Sequence, residues 1–291
     1  MSSWKGKSRG TPLGYRIFIF LLKKGGLRPA YSLLKFVTCY YFLFSYQSSK
    51  ELFNLYRKRL KLSVFKSLFL IYRNYYSLGQ SIIDKIVITN NLPHKFTFDF
   101  DGEENLKNIA TTQKGGILLS AHIGSWDVAG YLLNRLNTKI NIVLFDGEDE
   151  QIKKFISISD RKKIGIIPIK KDLSHIYKIS EAFERNELIC MHADRFIEGN
   201  KTIGLNFLGA NAPLPLGPFL LAASFRVPVS FVFAVKESIN NYHLFATEPL
   251  HMVGTKREQV IENLTNKFIF ELEKKIKAYP TQWYNYHKFW Q

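Results

Sequence analysis

Apolar and polar positions divide the chain into two regimes. In the first 60 residues the apolar positions come in blocks, Tyr15–Leu22 (YRIFIFLL) and Ala30–Phe44 (AYSLLKFVTCYYFLF). Neither block reaches the roughly 18–20 uninterrupted apolar residues that a helix needs to cross hydrocarbon. Lys23, Lys24 and Arg28 precede the second block, and Arg57, Lys58, Arg59 and Lys61 follow it. A spanning helix shows its basic excess on one side only. Cations on both sides predict helices lying in the interface of an anionic bilayer, with rings at the headgroups and lysines snorkelling. The competing readings are a pair of buried core helices and a single short span starting near Ala30. From Glu51 to Ser77, the spacing of Leu52, Leu55, Tyr56, Leu60, Leu62, Phe65, Leu68 and Phe69 predicts amphipathic helices leading into the body.

The body reads differently. Lys95–Phe100 (KFTFDF) alternates and ends at Asp101-Gly102, the signature of a strand and a turn. Short apolar runs then predict strands at Gly116–Ser120, Ile140–Phe145, Ile164–Ile169, Leu188–His192 and Val227–Val235. Between and after them, helices are expected over Trp126–Leu136, Glu148–Lys162, Leu173–Arg185, Pro218–Ser224 and Lys256–Lys277, the last behind a Thr255 cap. Strands alternating with helices define an α/β class, a mixed central sheet covered by helices. The expected organisation is a membrane-associated helical segment over 1–60 and an α/β domain over 61–291.

Composition narrows the partners. The 41 Lys and Arg against 24 Asp and Glu give 41 − 24 = +17, beside 24 Phe and 15 Tyr, so an anionic and partly apolar partner is expected. Forty-six per cent hydrophobic residues exclude a disordered tail. A nucleic-acid-binding protein would cluster its cations on a recognisable motif. Here they are dispersed and concentrated around the apolar N-terminus, so nucleic acid is not expected. Cys39 and Cys190 cannot build a disulfide framework or a cysteine zinc site, and with no signal-peptide pattern a cytoplasmic setting is expected. No Gly-x-Ser-x-Gly elbow occurs, which argues against a serine hydrolase. A non-catalytic basic membrane-surface protein stays as an alternative.

The sharpest local feature is GGILLSAHIGSWDVAG over residues 115–130, a buried strand, a tight glycine turn and a helix start. His122 and Asp127 sit at the carboxyl end of that strand, where open α/β sheets place reactive groups. Their His-x4-Asp spacing fits a carboxylate that orients an imidazole, which can then take a proton from a hydroxyl. The spacing alone is unspecific, and a second match at His94 and Asp99 falls in the alternating strand and is read as accidental. His192 and Asp194 share a strand face, but no third residue at a supporting spacing makes them a metal site.

HIGSWD at 122–127 is followed by CMHADRF, by NFLGANAPLPLGPFLLAASFRVPVSFVFAVKE and by the ending YPTQWYNYHKFWQ. In order and spacing these blocks resemble the lysophospholipid acyltransferase superfamily, nearest the late, lauroyl- or myristoyl-transferring acyltransferases of lipid A biosynthesis. That branch usually reads His-x-Gly-Asn-Trp-Glu where this chain has Ser125 and Asp127, and Asp-Gln where it has Asp194-Arg195. Phe207-Leu208-Gly209 and Pro280, Gln282 and Trp283 match two further blocks. The resemblance implies a glycerol-phosphate acyltransferase-like fold in a bacterial protein on the cytoplasmic face of the inner membrane. It implies transfer of an acyl group from acyl carrier protein or coenzyme A to a hydroxyl or amine of a membrane lipid precursor, with no metal or prosthetic group. His122 would be the general base and Asp127 its orienting acid. Asp194, Arg195, Lys170 and Gly209 would bind substrate, and the backbone of the Gly124 turn, Lys170 or Lys171 would steady the oxyanion. The terminal rings, Trp283, Tyr284, Tyr286, Phe289 and Trp290, are expected to pack under the last helix, and His287 is not expected to be catalytic.

Overall fold

The structure, a computed structural model, describes residues 12–125, 128, 129, 136, 138–145, 164–170, 172–196, 199–252 and 256–290. The N-terminal part is helical: α1 (Pro12–Gly25), α2 (Leu27–Phe44) and α3 (Tyr46–Phe53), which runs on into a wider turn over Asn54–Arg59, then α4 (Val64–Thr89). Ser63 caps α4 by accepting from the Lys66 N–H. Among the described residues no helix is long and apolar enough to cross a membrane, so the short span considered near Ala30 is not there. The reason is visible in α2: Ala30, Tyr31, Leu34 and Thr38 are buried, whereas Phe36, Tyr40, Leu43 and Phe44 on its other side are exposed. The helix is two-faced, and its inner face packs against Ile83, Ile86 and Val87 of α4 in one apolar cluster.

Among the described residues, seven strands form the main sheet: β1 (Thr97–Asp101), β2 (Gly116–Ser120), β3 (Ile140–Phe145), β4 (Ile164–Ile169), β5 (Leu188–His192), β8 (Val229–Lys236) and β9 (Asn241–Ala246). Their order is β1-β9-β8-β2-β5-β3-β4. Every pairing is parallel except β8 with β9. All five residues of β2 are buried, as a central strand covered on both faces requires. The expected strand at Val227–Val235 begins two residues later, at Val229. Helices α5 (Glu103–Thr111), α6 (Ser174–Glu184), α7 (Gly217–Phe225) and α8 (Arg257–Ala278) flank the sheet strands in sequence. In α8, Val260, Leu264, Phe268, Leu272 and Ile276 are buried at helical spacing. The capping position of α8 is Lys256, which makes no side-chain cap bond, while Thr255 lies outside the described residues. Also outside them lie the expected helix over 148–162 and most of the one over 126–136, of which Val128 and Ala129 are helical.

A second, smaller sheet precedes α7. Residues 202–207 (β6) and 210–215 (β7) form a separate antiparallel hairpin turning at Leu208-Gly209, both with positive φ (49° and 76°). Pro213 and Pro215 mislead in the sequence because proline removes a ladder donor, yet in a two-stranded ribbon both strands are edges and the loss is tolerated.

Candidate functional site

The site forms where β2 and β5 end side by side. Their parallel register pairs Ser120 with His192. Two residues further along both chains, His122 therefore meets Asp194. The His122 backbone N–H donates to Asp194 Oδ2 at 2.9 Å, and His122 Nδ1 lies 2.7 Å from Asp194 Oδ1. Trp283 Nε1 donates to the same Oδ2 at 3.1 Å. Asp194 is buried, with 1 % of its surface exposed, while the His122 side chain keeps 20 %. Burial alone would raise the Asp194 carboxyl, but the paired His122, by charge and hydrogen bond, and the Arg195 guanidinium hold it below the usual carboxylate range. An ionised carboxylate only accepts, so the Nδ1 position carries the proton and Nε2 keeps its lone pair.

The turn after His122 is locked by the C-terminal segment. The Tyr284 N–H donates to the His122 carbonyl (2.9 Å), and the Gly124 N–H donates to the Gln282 carbonyl (2.8 Å). The Gln282 amide in turn clamps β8, accepting from the Lys236 N–H and donating to its carbonyl. Gly124 sits at φ 69°, and a Cβ there would lie 1.8 Å from the Ala234 carbonyl oxygen, so no other residue fits. The N–H of Ile123 donates to Ala121 and that of Ser125 to Ala234. With His122 on Asp194, all four backbone donors from 122 to 125 are already engaged.

His192 lies beside the pair, its ring stacked on that of His122 with centroids 4.2 Å apart and planes 30° from parallel. Burial, then His122 and Arg195, push its pKa down to about 3 against the pull of Asp194, so the ring is neutral near pH 7. Arg195 donates to the Tyr284 carbonyl. His287 is likewise lowered by burial and by Arg195 and His122. The expected aromatic packing is present: Trp283 is fully buried, and Phe207 of β6 meets it edge-on at 5.6 Å and stacks on Trp290 at 6.0 Å.

The remaining expected site residues are scattered. Asp127 and Lys171 lie outside the described residues. Lys170 directly follows β4, the edge strand among the described residues, three strands from β2 and so roughly 14 Å away at about 4.8 Å per strand. Its N–H donates to His175 Nδ1. Gly209 occupies the β6–β7 turn with nothing within 4 Å of a Cβ placed on it, two residues from Phe207, which meets Trp283.

Three donor residues, His122, His192 and Asp194, do come within 4.8 Å of one another, although the sequence offered no third ligand. They fit a metal poorly as they stand. Ring nitrogens bind in the ring plane at about 2.0–2.1 Å, and two planes stacked 4.2 Å apart and tilted by 30° meet well beyond that reach. The Asp194 oxygens already receive the backbone and ring of His122 and the indole of Trp283.

Sequence reasoning found His122 and Asp194 but not their pairing, nor the stacked His192 and the Trp283 anchor. The signal was there in part: Ser120 and His192 end two apolar strands of equal length, and a parallel pairing without offset brings His122 to Asp194.

Comparison with known proteins returned no match among curated sequences. Among solved structures, the 1-acyl-sn-glycerophosphate (LPA) acyltransferase PlsC from Thermotoga maritima is similar at 13 % identity and a TM-score of 0.39, over 85 % of this chain and 95 % of that one. The family model described as bacterial lipid A biosynthesis acyltransferase matches residues 69–291, a span that holds both strand ends and the C-terminal clamp. By that match the chain belongs to the bacterial lipid A biosynthesis acyltransferase family, and it is an acyltransferase.

Proposed function

We propose that the protein moves a fatty acyl group from a thioester, on acyl carrier protein or coenzyme A, to a hydroxyl or amine of a membrane lipid precursor. His122 Nε2 takes the proton of the acceptor hydroxyl, whose oxygen attacks the thioester carbonyl carbon. Collapse of the tetrahedral intermediate breaks the C–S bond, and the proton on His122 passes to the leaving thiolate. Asp194 holds the Nδ1–H and stabilises the imidazolium. Asp127, the acid of the His-x4-Asp spacing, is proposed as the second carboxylate of the base. With the backbone donors of the turn engaged, the oxyanion is proposed to lie against the Arg195 guanidinium, which has five N–H groups to share. No step needs a metal or prosthetic group.

The observation that carries this reading is the contact of His122 Nδ1 with a buried, ionised Asp194, which leaves the opposite ring nitrogen to act as a base. A membrane-surface setting, on the cytoplasmic face of the inner membrane, is proposed from the exposed rings of Phe36, Tyr40 and Phe44 on α2 and of Phe65 and Phe69 on α4. Lys35, Lys66 and Arg73 lie on the same two helices and suit anionic headgroups.

The test is thiol release from acyl carrier protein and coenzyme A thioesters in the presence of extracted lipid. His122→Ala is expected to lower turnover by about 10³-fold or more while the protein stays folded. An alanine variant with wild-type turnover overturns the reading.

A further inference from the structure

We infer that His192 is a positioning residue for the base, a flat side wall that limits how far the His122 ring can turn about its hydrogen bond to Asp194. The inference rests on the assignment of His122 as the base. The χ2 torsion of a histidine has a broad, shallow profile, so a ring held by one hydrogen bond is free to tilt about the bond direction. Among the described residues the bond to the His122 ring is Nδ1 to Asp194, while Asp194 Oδ2 meets the backbone N–H and leaves the ring untouched. The stacked His192 ring blocks one side of that motion, at 4.2 Å between centroids. Its place is fixed by the sheet, since His192 is the last residue of β5 and pairs with Ser120 of β2.

The wall must also stay uncharged. When His122 accepts a proton, a charged neighbour at stacking distance would oppose it. Burial, with His122 and Arg195 adding to it and the carboxylate of Asp194 opposing it, leaves His192 neutral near pH 7. The ring thus meets the imidazolium with an aromatic face instead of a second cation.

His192→Ala and His192→Phe separate this role from plain packing, with turnover counted per folded molecule from the near-UV circular dichroism of each sample. Removing the wall in His192→Ala is expected to lower kcat about tenfold at unchanged KM for the thioester, because a misaligned base weakens the reaction step and not binding. Phenylalanine restores a flat, uncharged face and is expected to bring kcat back to within about threefold of wild type. An Ala variant at wild-type kcat overturns the inference, as does a loss that falls on KM or that vanishes once the folded fraction is counted. If the Phe variant folds and does not recover kcat, flatness is not the property that matters and the inference also fails. His122→Ala in the same assay distinguishes the two levels: full activity there removes the base itself, whereas a dead His122→Ala beside an active His192→Ala removes only the wall.

Discussion

Two carboxylates, Asp84 and Asp194, are equally deep in the protein and surrounded by donors, yet they serve opposite ends. Asp84 on α4 accepts from the phenols of Tyr31 (α2) and Tyr242 (β9) and pairs with Lys236 of β8 at 2.6 Å. The ammonium also lies 4.5 Å above the Tyr242 ring and 5.1 Å above that of Phe96. Burial drives Asp84 up and Lys236 down, each toward its neutral form, and their mutual attraction only partly offsets it. At Asp194 the balance reverses, and His122 and Arg195 outweigh burial. The difference lies in the partner. Lys236 is itself almost wholly buried, with 8 % of its side chain exposed, so pairing it with Asp84 desolvates two ions at once. His122 keeps 20 % of its side chain exposed while the carboxylate it pairs with is buried. A sealed cluster fastens the N-terminal helices to the sheet; a cluster with one reachable ring can exchange a proton.

Breaking the sealed side gives the largest effect on stability. Lys236→Met leaves Asp84 buried without its cation and is expected to cost about 3 kcal/mol in chemical denaturation, with turnover per folded molecule held within about twofold. A large loss of turnover in that assay would mean that the two clusters are not separate in function.

The outward face of the same helices comes next. Phe36, 76 % exposed on α2, and Phe65, 87 % exposed on α4, are expected to enter the bilayer interface. Serine at either position is expected to weaken binding to anionic vesicles about tenfold, since burying one phenylalanine is worth about 1.5–3 kcal/mol, without moving the melting temperature. Vesicle cosedimentation at low and high salt measures it, and unchanged binding of the double variant would contradict the interfacial reading.

The smallest effect concerns pH. Folded His192 takes its proton only near pH 3, against an unfolded value of 6.5, so between those values the unfolded chain binds more protons. Its contribution to stability is intact above pH 6.5 and lost as pH falls toward 3. His192→Phe has nothing to titrate there and is expected to lose stability less steeply over that range, read as melting temperature against pH. Equal slopes would show that His192, facing His122, Asp194 and Arg195, is not held neutral.

How much of this was legible in the sequence follows from the range of each signal. The strands β2, β3, β5 and β8 were readable as apolar runs that are largely buried, β4 as an apolar run even though it is mostly half-buried, and α8 by its repeating apolar face. β9, Asn241–Ala246, was not, since its residues are mostly half-buried and polar ones alternate with rings. Asp84 was invisible. No motif surrounds it in its helical segment, and its partner is Lys236, 152 residues away. Asp194 was marked by its place in a family block, but its use by His122 depends on strand pairing, which no local pattern records. The His-x4-Asp spacing points to Asp127, which lies outside the described residues, whereas Asp194 reaches the His122 ring from across the sheet.

The most direct test of that claim is the turnover of Asp194→Asn with an acyl thioester and acceptor lipid, counted per folded molecule. The asparagine NH2 would face Nδ1 as a donor, reverse the tautomer and put the proton on Nε2, so kcat is expected to fall by about 10²–10³-fold at nearly unchanged KM. A rate within about threefold of wild type would contradict the account, because the carboxylate across the sheet would then have no part in holding the base.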